Sequence, residues 1–151
     1  MPSPKMDIQT ERGTAAKLIV WSDSYKVGIA EIDEQHQMLI SMINELHDQM
    51  LRGKGNKAVG KTLDGLIGCT KYQFGIEEKY FDQFGYPWTS GHKREHSDFT
   101  QKILSFQGIF RQGNQYLSLS VLNYLSVWLR NHINDSDKKA CYFLIMSGIK
   151  K

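Results

Sequence analysis

With 151 residues, 40% of them hydrophobic and 11% aromatic, the chain holds enough apolar material for one compact domain and is too short for several. Its 19 Lys plus Arg against 16 Asp plus Glu leave a formal charge of +3, with the basic residues mostly in ones and twos, and without a basic block or aromatic platforms no nucleic-acid partner is expected. The N-terminus carries Asp7 and Glu11 where a signal peptide needs apolar residues, and no stretch approaches the roughly 20 apolar residues of a membrane span, so neither export nor membrane insertion is expected.

Cys69 and Cys141 lack the density and spacing of a disulfide framework or a zinc site and are expected to be reduced thiols of a cytoplasmic protein. Proline occurs only at positions 2, 4 and 87, so one break separates two stretches, each long enough for a pair of helices. Residues 1–18 are polar and aperiodic and are expected to form a flexible tail, while 19–151 form the domain, beginning with an extended arm around Trp21 to Val27.

From Glu31 the positions Ile32, Leu39, Ile43, Leu46 and Met50 fall on one helical face, and Gly53-Lys54-Gly55-Asn56 stops that helix. A second helix runs through Val59, Leu63, Leu66, Thr70, Gln73, Glu77, Phe81 and Phe84 to Gly85-Tyr86-Pro87. Its interior glycines Gly65, Gly68 and Gly75 each cost up to about 1 kcal/mol against alanine. A third helix from near Ser90 carries His92, His96, Phe99, Ile103, Phe106 and Phe110, closing at Gly113-Asn114. A fourth runs through Leu117, Val121, Leu125, Trp128 and His132, and Asn134 to Ile149 form a short helical or irregular end. The pattern predicts an all-α, antiparallel up-down four-helix bundle with an N-terminal arm and a short C-terminal helix.

Chemistry enters through the polar residues on the inward faces. His36, Gln73, Glu77, His92, His96 and His132 occupy positions that the apolar period assigns to the core, where polar groups need partners. Residues four apart project from one face about 6 Å apart, so His92 with His96, and Gln73 with Glu77, each offer two ligands to one centre. A single core imidazole is ordinarily satisfied by a hydrogen bond, but four in phase on three helices point to metal. Bundles hold two irons or two manganese ions in this way. The set is too large and too rich in carboxylate for a structural zinc, and imidazole with carboxylate suits iron. His47, eleven residues beyond His36, lies about 16 Å further along the helix and is assigned to packing or a surface hydrogen bond. Glu78 reads as a solvated or supporting carboxylate, and Tyr72 and Tyr80 lie off the ligand face.

The segments WSDSYKVGI (21–29), IDEQHQML (32–39), INELH (43–47), FGIEEKY (74–80), Gly85 to Pro87, HKREHSDF (92–99) and WLRNHINDSD (128–137) together resemble the bacteriohemerythrins over nearly the whole chain beyond the tail. The resemblance implies two irons with an oxo or hydroxo bridge: His92, His96 and His132 on the first, Glu77 and Asp137 bridging, and His36 on the second. It also implies dioxygen, or a related small molecule, as the partner of the second iron, with Leu39, Trp128 and Leu129 in the apolar wall around it. Gln73 departs from the family pattern, which places a second-iron histidine four residues before the bridging glutamate. An amide oxygen is a weaker donor than imidazole, so a more loosely held or partially occupied second iron is expected. The resemblance favours an oxygen-binding protein for carriage, storage or sensing, with no catalytic residue. The alternatives are a redox enzyme acting on peroxide or nitric oxide, prone to rapid autoxidation, and an iron- or oxygen-responsive signalling module.

Overall fold

The computed structural model of the chain describes residues 17–113 and 117–150; up to residue 16, the expected tail lies outside them. Four long helices follow one another: α1 (Ala30–Leu51), α2 (Gly55–Phe84), α3 (Thr89–Arg111) and α4 (Leu117–Asn131). A π-helical segment, His132–Asp137, joins α4 without a break to a short α5 (Lys138–Met146). The architecture is the expected all-α bundle, α1 packing against α2 and α4, and α2 against α3. No helix among the described residues is long and apolar enough to cross a membrane.

The inward stripes are those of the apolar period. Ile32, Ile43 and Leu46 of α1, Leu63 and Leu66 of α2, Ile103 of α3 and Leu125 of α4 are all fully buried, giving the non-directional driving force that holds the helices together. Phe84 and Phe110, at the ends of their stripes, are only half-buried. The break between the first two helices is tighter than the glycine cluster suggests, because Gly55 and Asn56 already belong to α2.

Two of the α2 glycines have a packing reason. A Cβ at Gly65 would lie 2.7 Å from Met42 Cε on α1, and one at Gly60 would lie 2.6 Å from Phe110 Cε2 on α3. Close approach of the helices therefore offsets part of the propensity cost.

The arm is strapped to the bundle before α1 begins. Ile19, fully buried, exchanges both backbone hydrogen bonds with the Asn44 side chain, at 3.0 and 2.8 Å, and Arg130 donates to the Leu18 carbonyl at 3.1 Å. The Val27 amide donates to Asp33 Oδ1 at 2.8 Å. That carboxylate lies in the first turn of α1, where the helix dipole favours negative charge. A single 3-10 turn, Asp23–Tyr25, interrupts the extended arm.

Helix α2 ends on Gly85, at φ 69° and ψ 41°, and the Tyr86 amide donates back to the Phe81 carbonyl at 3.0 Å. This left-handed ending turns the chain into α3 and suits glycine. A Cβ there would meet nothing within 4 Å, so only backbone strain opposes one. Gly85→Ala is expected to lower unfolding stability by about 1–2 kcal/mol, measured by urea denaturation.

Candidate metal centre

Five of the six α-helical and π-helical segments bring ligand-type side chains to the middle of the bundle or support them there. His36 comes from α1, Gln73 and Glu77 from successive turns of α2, His92 and His96 from successive turns of α3. His132 and Asp137 come from the π segment. All seven are between 0 and 4% exposed. His132 and Asp137 are five residues apart, which on a regular α-helix would set them about 140° apart around the axis. The π segment, with its i to i+5 register, brings both to the same side.

The donor atoms divide into two poles. At one, His96 Nε2 and His92 Nε2 lie 3.3 and 3.4 Å from Glu77 Oε1, and His92 Nε2 and His132 Nε2 lie 3.0 and 3.2 Å from Asp137 Oδ1. At the other, His36 Nε2 lies 2.8 Å from Asp137 Oδ2 and 4.0 Å from Glu77 Oε2. Each carboxylate thus turns one oxygen to two imidazoles, His92 being shared, so that together they meet three, and each turns its second oxygen to His36. Ligand atoms of Glu77, His92, His96, His132 and Asp137 all fall within 4.8 Å of one another. The four Nε2 atoms, Glu77 Oε1 and both Asp137 oxygens are buried and make no aligned hydrogen bond. Buried polar atoms this close, aimed past one another at common points, suit cations between them. Two poles sharing two carboxylates suit a pair of metal ions.

Residues 27–141 match the family described as the hemerythrin HHE cation binding domain. The chain belongs to the hemerythrin family. It is 35% identical over 121 residues to the bacteriohemerythrin of Stenotrophomonas maltophilia (strain R551-3), a match covering 80% of this chain and 78% of that one. It is 33% identical over 119 residues to the bacteriohemerythrin of Pseudomonas aeruginosa (strain LESB58), covering 79% and 76%. Among solved structures, wild-type hemerythrin superposes with a TM-score of 0.76 at 29% identity, covering 84% of this chain and 98% of that one.

The hemerythrin family binds dioxygen at a non-heme di-iron centre, and the buried His, Glu and Asp cluster of this hemerythrin fits that cofactor. Gln73 sits at the second pole. Its amide nitrogen donates to Glu77 Oε2 at 3.1 Å, and a half-turn of the amide would present its carbonyl oxygen at the same reach. Leu39 and Leu129 are buried, and half-buried Trp128 lies against His132, its ring 4.4 Å from the imidazole at 12°. Trp128 therefore walls the three-histidine pole. Half-buried His47 stands outside the cluster, and Tyr72 is exposed. Tyr80 donates to Glu31 at 2.9 Å, away from the centre.

Behind the imidazoles stand supporting residues, of which the sequence pointed to Glu78 but not to Glu95. Glu95 Oε1 lies 2.9 Å from His132 Nδ1 and accepts from Ser136 Oγ, and Glu78 Oε2 lies 2.8 Å from His96 Nδ1. A carboxylate on Nδ1 fixes that nitrogen as the protonated one and leaves the Nε2 lone pair for a metal. Phe74 stacks on His96 with ring centres 3.7 Å apart and planes 2° apart, which holds the ring flat. Glu95 lies three residues after His92 in the same short run as His96; that placement beside two inward histidines was the available signal.

Electrostatics follow the same plan. Burial opposes charge on Asp137, yet His132, with His36 and His92, holds its carboxyl well below the usual range. Burial and the charge of Asp137 push Glu77 up, but His92 and His96 outweigh them and lower it. Burial likewise opposes protonation of His132 and His92, and Asp137, helped by Glu95 at His132 and by Glu77 at both, raises them to about 10 and about 9. Glu95 is lowered to about 2, chiefly by its bond to His132. Burial, then the charge of Asp137, pushes the Cys141 thiol up, so it remains neutral.

At pH 7 His92 and His132 therefore hold protons that metal ligation must displace. Anaerobic titration with ferrous ion, in two buffers of different ionisation enthalpy, is expected to show proton release. Because both folded-state values are raised, lower pH favours the protonated imidazoles. The apparent metal affinity should accordingly rise from about pH 6 to about pH 8.

Proposed function

We propose that this hemerythrin binds dioxygen reversibly at a di-iron centre, for carriage, storage or sensing, and that residues 19–151 are the domain that does so. In this reading His92, His96 and His132 would hold the first iron and His36 with Gln73 the second, with Glu77 and Asp137 shared between them. The observation that carries it is the division of each buried carboxylate between the two poles, one oxygen facing two of the three imidazoles and the other facing His36.

An iron pair held by these residues would supply reversible electron transfer to a small bound molecule. The chain's own contribution is to hold and shelter. Glu78 and Glu95 keep His96 and His132 in the ligating tautomer. Phe74 and Trp128 clamp the same two rings, and Leu39 and Leu129 keep water from the interior. Two free thiols, Cys69 and Cys141, fit a reducing, cytoplasmic setting.

A second reading, redox turnover of peroxide or nitric oxide, is favoured by one observation. Gln73 offers the second pole an amide already engaged with Glu77, in place of an imidazole. With fewer strong donors, that pole binds metal less firmly and leaves more room for exogenous ligands.

Protein prepared anaerobically with ferrous ion is expected to retain an iron pair and to develop a visible absorption band with oxygen that fades when oxygen is removed. A band that decays irreversibly within seconds, with peroxide consumed catalytically, supports the second reading instead. Retention of no transition metal would falsify both. Gln73→His is expected to slow loss of the second iron to a ferrous chelator by on the order of tenfold and to slow autoxidation; unaltered release would sink the role given to Gln73.

A further inference from the structure

Three clefts reach residues of the centre from the surface, and they end at different poles. One, of about 660 Å³ beside α4, ends on His132. A second, of about 270 Å³ at the start of α3, ends on His92. Both therefore meet the pole where three imidazoles and both carboxylates converge, and His132 presents its back there, with Nδ1 turned to Glu95. The third, of about 360 Å³ between α1 and α2, is lined by Gln35, Met38, Gly68, Cys69 and exposed Tyr72, and ends on Gln73. Among the described residues, it alone of these three clefts ends at the pole served by one imidazole, and does so without passing an imidazole.

Two details of the third cleft point to passage. Gly68 costs helix propensity, up to about 1 kcal/mol against alanine, yet it has no positive φ, and a Cβ there would meet nothing within 4 Å. At Gly65, one turn earlier, a Cβ would crowd the flexible end of Met42 at 2.7 Å; no packing neighbour crowds Gly68. Its missing side chain leaves the cleft open. Gln35 also lines the cleft, and its buried side-chain oxygen has no hydrogen-bond partner, so the wall at that point is not closed by a protein contact.

We propose that the α1–α2 cleft is the port by which diatomic and triatomic molecules reach the second metal position, with Gly68 keeping it open and Gln73 forming its inner wall. The proposal rests on the di-iron reading above. It gives Gln73 a role in passage in addition to ligation: its amide is smaller than an imidazole, so the inner end of the cleft stands closer to the metal position.

The test uses full-length, iron-loaded, oxidised protein and azide as the probe. Gly68→Leu is compared with Gly91→Leu, because Gly91 lines the α3 cleft and a Cβ there also meets nothing within 4 Å. Stopped-flow association of azide is expected to slow by about tenfold or more in Gly68→Leu and to stay within about twofold of the parent in Gly91→Leu, with iron content unchanged in both. Alkylation of Cys69 by iodoacetamide in metal-free protein, a readout independent of the irons, should slow severalfold in Gly68→Leu, while Cys141 stays buried and silent. Unaltered azide association in Gly68→Leu, equal slowing in Gly91→Leu, or unaltered Cys69 alkylation each overturns the port alone. A parent protein that holds no iron pair overturns the port and the di-iron reading together.

Discussion

Two carboxylates buried at 1% exposure, Glu77 and Asp137, are the constraint around which this bundle is arranged. Taking an ionised carboxylate out of water costs several kcal/mol unless positive charge meets it. Here four imidazoles surround the pair, and the oxygens are shared between two poles instead of being spent on one partner. The raised values of His92 and His132 and the lowered values of Asp137 and Glu77 express the same fact. The site favours positive charge at its imidazoles, and a metal pair is the form of that charge that its geometry fits.

Much of the remaining polar structure supports those few atoms. Glu78 and Glu95 stand at the outer edges of His96 and His132, and Ser136 holds Glu95 in turn. Aromatic rings lie flat on the same two imidazoles. The apolar layers on either side, from Ile43 and Leu66 at one end to Ile133 and Leu144 at the other, let a bundle carry so many polar groups at its centre. The stabilisation from burial is supplied away from the site, where packing is not interrupted.

The two poles are unequal, and the inequality bears on function. One is offered three imidazoles, two of them aimed by their neighbours; the other has His36 and an amide that donates to Glu77. A small molecule entering the molecule meets least competition from protein donors at the second pole. The cleft along α1 and α2, which ends on Gln73, leads to that pole.

The sequence by itself determined the helices, their order and their inward faces, because burial repeats every three to four residues and the breaks fall at Gly53 and Pro87. It also determined which polar side chains enter the core: His36, Gln73, Glu77, His92, His96 and His132 stand in phase with leucines and isoleucines. Asp137 was legible only through the family motif, since a five-residue spacing from His132 is out of phase on a regular α-helix and only the π segment turns it inward. Tertiary structure alone decided the division of each carboxylate between two poles, the pairing of Glu95 with His132 across two helices, and the cleft that ends at Gln73. Those depend on how helices distant in the chain lie against one another. A periodicity records which face of each helix is buried, and carries no information on which atoms of two buried faces will meet.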